Sequence, residues 1–496
     1  MRASARIVAN QHTQCVRPLA TATPAVSICA TPRSEQRLCD LQTLVGADNL
    51  ALECKGASEA VAFMGRIRVL GVIGSGLGGV VLRCTMDGSQ PSCLFALKLE
   101  PVFRNASMNS STQRLEESDA NNMSRREMMT ATLLNSIAAH ETRVLQRPYS
   151  EMTYHTVRAL QWGTLRMSPY TLLKGIAGVT MAPATRAFLQ QSRTWSYMVM
   201  ELASGGSSVN LLTYARRLAD TISVPDALER FLAGMYVQLA AQLLILSTQR
   251  KMRHNDMHLD NVCWIHETPE KRIYYELPGG VRLLVPLADT VPCGALAGLP
   301  SEHGALVFKI IDWGLASAET PYVDDRGKQI TLCYGPTHTT GGEYDDAQFY
   351  GRFDFAHLLT TVNTQLGRAL PHRVRDVLDF VRARQRDNTL ACIAAEYPTA
   401  SIACNGTTVR PSATPPPVDG DFAHRLFALP LFDRYRTHRP PAELLDANTI
   451  PVRVAPHPST GGLTQRAIQN ETLRVDVQPI VNVSGMYRAK LSARTL

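Results

Sequence analysis

His254-Asn255-Asp256-Met257-His258-Leu259-Asp260-Asn261 is the most chemically dense stretch of this chain, and its reading decides the fold. Imidazoles, carboxylates and amides crowd into eight residues that have neither helical nor strand periodicity, so the stretch is a loop. Upstream, Leu228, Phe231, Leu232, Met235, Leu239, Leu243 and Leu246 recur at helical spacing and predict one apolar helix face from Pro225 onward. Downstream, Val262-Cys263-Trp264 reads as a strand. A loop between a long helix and a buried strand can carry catalysis, hold a metal through His254, Asp256, His258 and Asp260, or be a polar turn with satisfied histidines. The metal reading lacks a helical H-E-x-x-H spacing or a cysteine pair.

Working outward, Phe308-Lys309-Ile310-Ile311-Asp312-Trp313-Gly314 is an apolar strand that ends in an aspartate, an aromatic residue and a glycine. Far upstream, Gly74-Ser75-Gly76-Leu77-Gly78-Gly79-Val80-Val81 satisfies G-x-G-x-x-G-x-V. A dinucleotide fingerprint needs a helix after the glycines, but Val80-Val81-Leu82 is strand-like and a turn follows at Met86-Asp87-Gly88, so the glycines tip a β-hairpin. Backbone N–H groups there can approach phosphate closely. Ala96-Leu97-Lys98 then ends an apolar strand with a lysine, whose charge needs a partner in a low-dielectric setting. Glu127, on the predicted helix Arg125 to Ala138, is the best candidate, with Glu116, Glu117 and Glu141 in competition.

Composition bounds these readings. Apolar residues are 45% and charged residues 19% of 496, as in a globular chain with a real core. The net charge of +8 comes without a Lys/Arg run, so a solvated basic surface is expected rather than a nucleic-acid groove. Eleven cysteines without a CxxC pair are expected to be reduced thiols of an intracellular protein, cytoplasmic or nuclear, and the N-x-S/T sequons to be chance matches. Phe231 to Leu246 looks too short to span a bilayer and is interrupted by Gln238 and Gln242, so no membrane partner is expected. A monomer is expected. Residues 1–55 are expected to be a disordered tail, 405–420 a loop and 448–496 a poorly ordered tail. An insertion is read near 101–123, and another over 271–305, with a strand pair Ile273 to Leu277 and Val281 to Val285 around Pro278-Gly279-Gly280.

Taken together, these residues resemble the eukaryotic protein kinase superfamily over roughly residues 60–447. The closer likeness is to haspin and the serine/threonine kinases of large DNA viruses. Those share a histidine two residues after the catalytic aspartate, a segment like Tyr274-Tyr275-Glu276-Leu277-Pro278-Gly279, and Ile-Ile-Asp before the aromatic. The resemblance implies an α+β bilobal fold, with a small β-rich N-terminal lobe over 56–203 and a larger helical lobe over 204–447. It implies ATP and Mg as cofactors and an unidentified protein substrate phosphorylated on a hydroxyl, serine or threonine by likeness alone. Asp256 would then be the catalytic base, Lys98 the ligand of the α- and β-phosphates, and Asn261 and Asp312 the magnesium ligands. Gly74, Ser75, Gly76, Gly79, Val81, Ala96 and Glu127 would line the nucleotide, with Met200 as gatekeeper and Glu201 to Ala203 as the adenine-binding backbone. His258 would stand in for a lysine near the γ-phosphate, with a charge that titrates near neutral pH.

The departures are informative. Asn255 occupies the place of an arginine that pairs with a phosphorylated activation loop, Trp313 that of a phenylalanine, and no A-P-E follows Gly314, where 315–350 holds Tyr334-Gly335-Pro336 and Gly341-Gly342-Glu343 instead. Two other functions share parts of the pattern. Aminoglycoside- or choline-type phosphotransferases carry H-x-D-x-H-x-x-N and Ile-Asp-Trp but usually lack the full glycine hairpin. A pseudokinase scaffold commonly loses at least one of the four residues kept here as Lys98, Asp256, Asn261 and Asp312.

Overall fold

The computed structural model describes residues 53–55, 66–75, 79–86, 94–101, helical positions between 127 and 138, 150–165, 195–203, 225–250, 252–291, 304–323, 329–332, 351–383, 402–404, 407–409, 419–439 and 441–453. Gly76, the body of the 101–123 insertion and the 334–343 motifs lie outside them.

Alternating apolar residues first build a six-stranded sheet in the order β1-β5-β6-β4-β3-β2, from β1 (Glu53–Lys55), β2 (Ile67–Ser75), β3 (Val80–Met86), β4 (Leu94–Pro101), β5 (Ala159–Leu165) and β6 (Trp195–Glu201). Only β1 and β5 run parallel. β1 falls within the expected N-terminal tail, so the ordered sheet begins earlier than 56. The β2–β3 hairpin carries the glycines, with Ser75 opposite Val80 and two bulges that sharpen its twist.

The second half is organised by α1 (Pro225–Arg250). One apolar face was expected, yet every residue from Phe231 to Ser247 is buried, because other elements pack around the whole helix. These include β11 (Ala305–Ile310), which pairs antiparallel with β8 (Val262–Glu267), and α2 (Gly351–Leu366). The apolar span is also longer than Phe231 to Leu246: Asp226–Thr248 is long and apolar enough to cross a membrane, and 94% of its most apolar window is buried inside the protein. Gln238 and Gln242, which look like interruptions, are satisfied by backbone. Gln238 accepts from the Phe308 N–H (2.9 Å) and donates to the Leu306 carbonyl (3.3 Å), while Gln242 accepts from the His155 N–H (2.8 Å) and donates to the Met152 carbonyl (2.7 Å).

After α1 come β7 (Met252–Arg253) and the loop 254–261, and β7 pairs with β12 (Ser317–Val323), which pairs in turn with β13 (Gln329–Leu332). The expected strand pair forms as β9 (Arg272–Glu276) and β10 (Arg282–Pro286), turning at Gly279 and Gly280, whose φ values of 78° and 77° suit glycine. Within the expected 405–420 loop, Thr407–Val409 is strand β15, paired with β14 (Ile402–Cys404), and α3 (Asp419–Phe427) has begun. A larger correction concerns the C-terminal tail. Thr449–Arg453 is a buried strand, β16, parallel to β9 from Thr449 opposite Arg272 to Arg453 opposite Glu276, so the second lobe extends past 447. The result is the bilobal α+β architecture, a β-rich N-terminal lobe followed by a larger helical and mixed lobe, with one apolar cluster running through both: Leu133, Leu134, Met152 and Tyr154 share it with α1, β8, β11 and α2.

His155 sits at that junction, with Nδ1 2.8 Å from the Phe308 carbonyl and Nε2 2.8 Å from the Tyr275 hydroxyl. Burial foremost lowers its pKa to about 3. The unfolded chain binds a proton here near pH 6.5 and the folded protein does not, so this contribution is complete above pH 6.5 and is lost as pH falls toward 3. Urea titrations should show about 2 kcal/mol of stability lost between pH 6.5 and 5 through this residue, and a shallower slope in His155→Gln. An unchanged slope would refute the assignment.

Candidate active site

The loop 254–261 is held from behind by one carboxylate. Asp354, fully buried on α2, accepts the His254 N–H at Oδ2 (2.8 Å) and the Asn255 N–H at Oδ1 (2.8 Å). That grip turns the backbone sharply: Asn255 has φ 65°, a left-handed value that asparagine tolerates better than most residues. His254 then ties the loop to the strand above Asp312. Its Nε2 donates to the Ile311 carbonyl (2.8 Å), its Nδ1 accepts the Asp256 N–H (3.3 Å), and its ring lies 4.6 Å from that of Trp313. Both ring nitrogens therefore serve the backbone, and among the described residues no group of three or more His, Cys, Asp or Glu side chains is placed to hold a metal ion, which removes the four-residue metal reading.

Asn261 completes the loop. Its Nδ2 donates to the Asp256 carbonyl (2.8 Å), which leaves Oδ1 as the amide atom available to a cation, and its own carbonyl accepts the Ile311 N–H (2.9 Å). His258 caps the turn Leu259–Asn261 by accepting the Asp260 N–H at Nδ1 (3.2 Å), and its Nε2 lies 3.1 Å from Asn261 Nδ2 and 3.6 Å from Asp256 Oδ2. The hydrogen bond to Asp256 foremost raises its pKa above 6.5, against partial burial, and the charges of Asp256, Asp260 and Asp312 add to the rise.

Across the cleft, the Lys98 ammonium lies 2.5 Å from Glu127, 3.0 Å from Glu100 and 3.2 Å from Asp312. Glu127 is at the lysine, while Glu116, Glu117 and Glu141 lie outside the described residues. Burial by itself would lower the Lys98 pKa, but the three carboxylates outweigh it and hold the lysine well above its ordinary value. Burial foremost pushes Glu127 upward, with Glu100 and Asp312 adding to it against Lys98. Lys98 foremost keeps Asp312 below the usual carboxylate range. Asp312 adopts φ 60° and leaves 42% of its side chain exposed, so a carboxylate at the end of β11 stays open to solvent.

The remaining predicted residues line the small lobe. Gly74 pairs with Val81, Val81 with Lys98 and Ala96 with Met200, and Ala96 is buried. Gly79 is required by the sheet itself, since a Cβ there would strike the Leu99 carbonyl. Glu201 and the half-buried Ala203 lie where the chain leaves β6. The Glu201 N–H donates to the Arg158 carbonyl (2.8 Å), and its side chain points to Lys309 (3.8 Å).

Three neighbours escaped the sequence reading. Glu100 lies two residues beyond Lys98 on the same strand face, which period-two alternation alone could have flagged. Lys309, fully buried, donates to the Tyr154 carbonyl (2.6 Å) and joins β11 to the end of β6 through Glu201. His357 places its ring 6.5 Å from His258, and burial foremost lowers its pKa.

No family model matches the sequence, and neither does any curated protein. Among solved structures the chain is similar to one described as "Crystal structure of BubR1 kinase domain", at 11% identity and TM-score 0.29, over 76% of this chain and 77% of that one. Along the chain stand, in this order, a glycine hairpin, a lysine strand, a glutamate helix, a buried core helix, a polar loop and an aspartate strand. Asp354→Asn, which can accept only one of the two loop N–H groups, should cost about 1.5–3 kcal/mol in urea unfolding, the range for hydrogen bonds to a charged group.

Proposed function

We propose that the chain is a protein kinase that transfers the γ-phosphate of ATP to a protein hydroxyl, serine or threonine by family likeness. The observation that carries this reading is the Lys98 ammonium, held between Glu127 and Asp312, where Asp312 directly follows Ile311, whose N–H and carbonyl are bonded to Asn261 and His254 of the loop.

The donor set fits magnesium. Asp312 offers a carboxylate and Asn261 an amide oxygen, both hard donors, and a site of so few protein ligands suits an ion that keeps waters and takes its other ligands from phosphate oxygens. Three carboxylates around one ammonium also leave surplus negative charge that a dication would neutralise. Magnesium, when bound, supplies charge neutralisation at the β- and γ-phosphates. Lys98 is fixed by Glu127 to donate to the α- and β-phosphates. Asp256, partly exposed, receives the proton of the attacking hydroxyl, and His258 places its Nε2 beside it. Asp256→Asn should lower kcat by roughly 10²–10⁴-fold, the range for loss of a general base, in a radiolabelled-phosphate transfer assay on a protein mixture with magnesium. Lys98→Ala and Asp312→Ala should likewise abolish transfer. Label appearing only on aminated sugars or small alcohols would move the assignment to small-molecule phosphotransferases, and no turnover by the wild type would leave a binding scaffold.

Asn255 is fully buried, and its backbone is held by Asp354 without help from a phosphorylated residue. Enzyme made in bacteria and stripped of phosphate should therefore keep its activity. A requirement for prior phosphorylation would contradict this.

A further inference from the structure

Glu127 is not the only partner available to Lys98. Glu100 sits on the same strand, 3.0 Å from the ammonium, and accompanies the lysine whatever the Glu127 helix does. The productive pair therefore depends on what holds that helix. Its inner side rests on the start of β5: Asn135 donates to the Ala159 carbonyl, and Ala131 packs with Ala159 and Met198. Segment 150–158, directly before β5, is gripped by the large lobe. Gln242 takes the Met152 carbonyl and the His155 N–H, Lys309 takes the Tyr154 carbonyl, and backbone bonds join His155 and Val157 to Ile310.

The last grip comes from the far end of the described chain. Arg453 on β16 donates from Nε to Glu151 Oε2 (2.6 Å) and from Nη2 to Glu151 Oε1 (3.3 Å), a two-pronged pair on a residue only 3% exposed. Both ends are built in. Thr449, Ile450 and Val452 bury β16 against β9, and His155 reaches the same inserted sheet through Tyr275.

We infer that Arg453 is a positioning residue for phosphoryl transfer: through Glu151 it fixes segment 150–158, and so keeps the Glu127 helix where Glu127, and not Glu100 alone, holds Lys98. The inserted strands β9 and β10 with β16 form an internal brace for that helix. The inference rests on the kinase reading for its effect on rate, and on packing alone for its effect on the helix.

The test uses the full chain and two readouts. In Arg453→Ala, kcat should fall on the order of 10-fold while KM for ATP stays within about 3-fold, because alignment is lost more than binding. Amide hydrogen exchange over residues 127–138 should quicken. The exchanged pair, Glu151→Arg with Arg453→Glu, should recover part of both. Should Arg453→Ala fail to fold, Arg453→Lys, which keeps the charge without the fork, is measured in the same way and should show a smaller change of the same sign. Unchanged exchange over 127–138 overturns the inference whether or not the wild type turns over. Quickened exchange in a protein whose wild type transfers no phosphate upholds the brace and refutes the kinase reading.

Discussion

One ammonium among three carboxylates governs this molecule. Lys98 is nearly buried, and a charge at that depth survives only with close opposite charges. Those charges come from three places: its own strand, the Glu127 helix and the end of β11. Satisfying one side chain thus brings both lobes to a single point, and the cleft forms where they meet. The same cluster carries surplus negative charge, and its exposed member is Asp312.

Much of this was legible in the sequence because chemistry restricts spacing. The stretch from His254 to Asn261 admits few substitutes: Asn261 must reach back to Asp256, His254 must reach Ile311, and both follow from short loop geometry. The glycine hairpin and the strand ending at Asp312 were readable for similar reasons. Partner choice at a distance was not readable. Nothing local distinguishes Glu127 from Glu116, Glu117 or Glu141, because only the packing of a helix decides which carboxylate faces a lysine 29 residues away.

The misreadings have a common physical origin. Gln238 and Gln242 read as interruptions of the apolar stretch Phe231 to Leu246, since a polar side chain within a helix is normally solvated. Here each amide, with one donor and one acceptor, meets a neighbouring backbone N–H and C=O, so the helix is buried all round. Thr449–Arg453 reads as part of a tail because five residues between polar neighbours give a weak strand signal, and its burial comes from β9, far away in the sequence.

That parallel pairing bears on biogenesis. While a ribosome is still making the chain, β9 has its β10 neighbour almost at once, but its other edge stays open until the residues of β16 emerge much later. An open, apolar sheet edge is a template for wrong partners. The nascent protein must pass through a long interval with Tyr274 and Tyr275 beside an unfilled slot, a window in which a chaperone or a neighbouring chain can compete for the place.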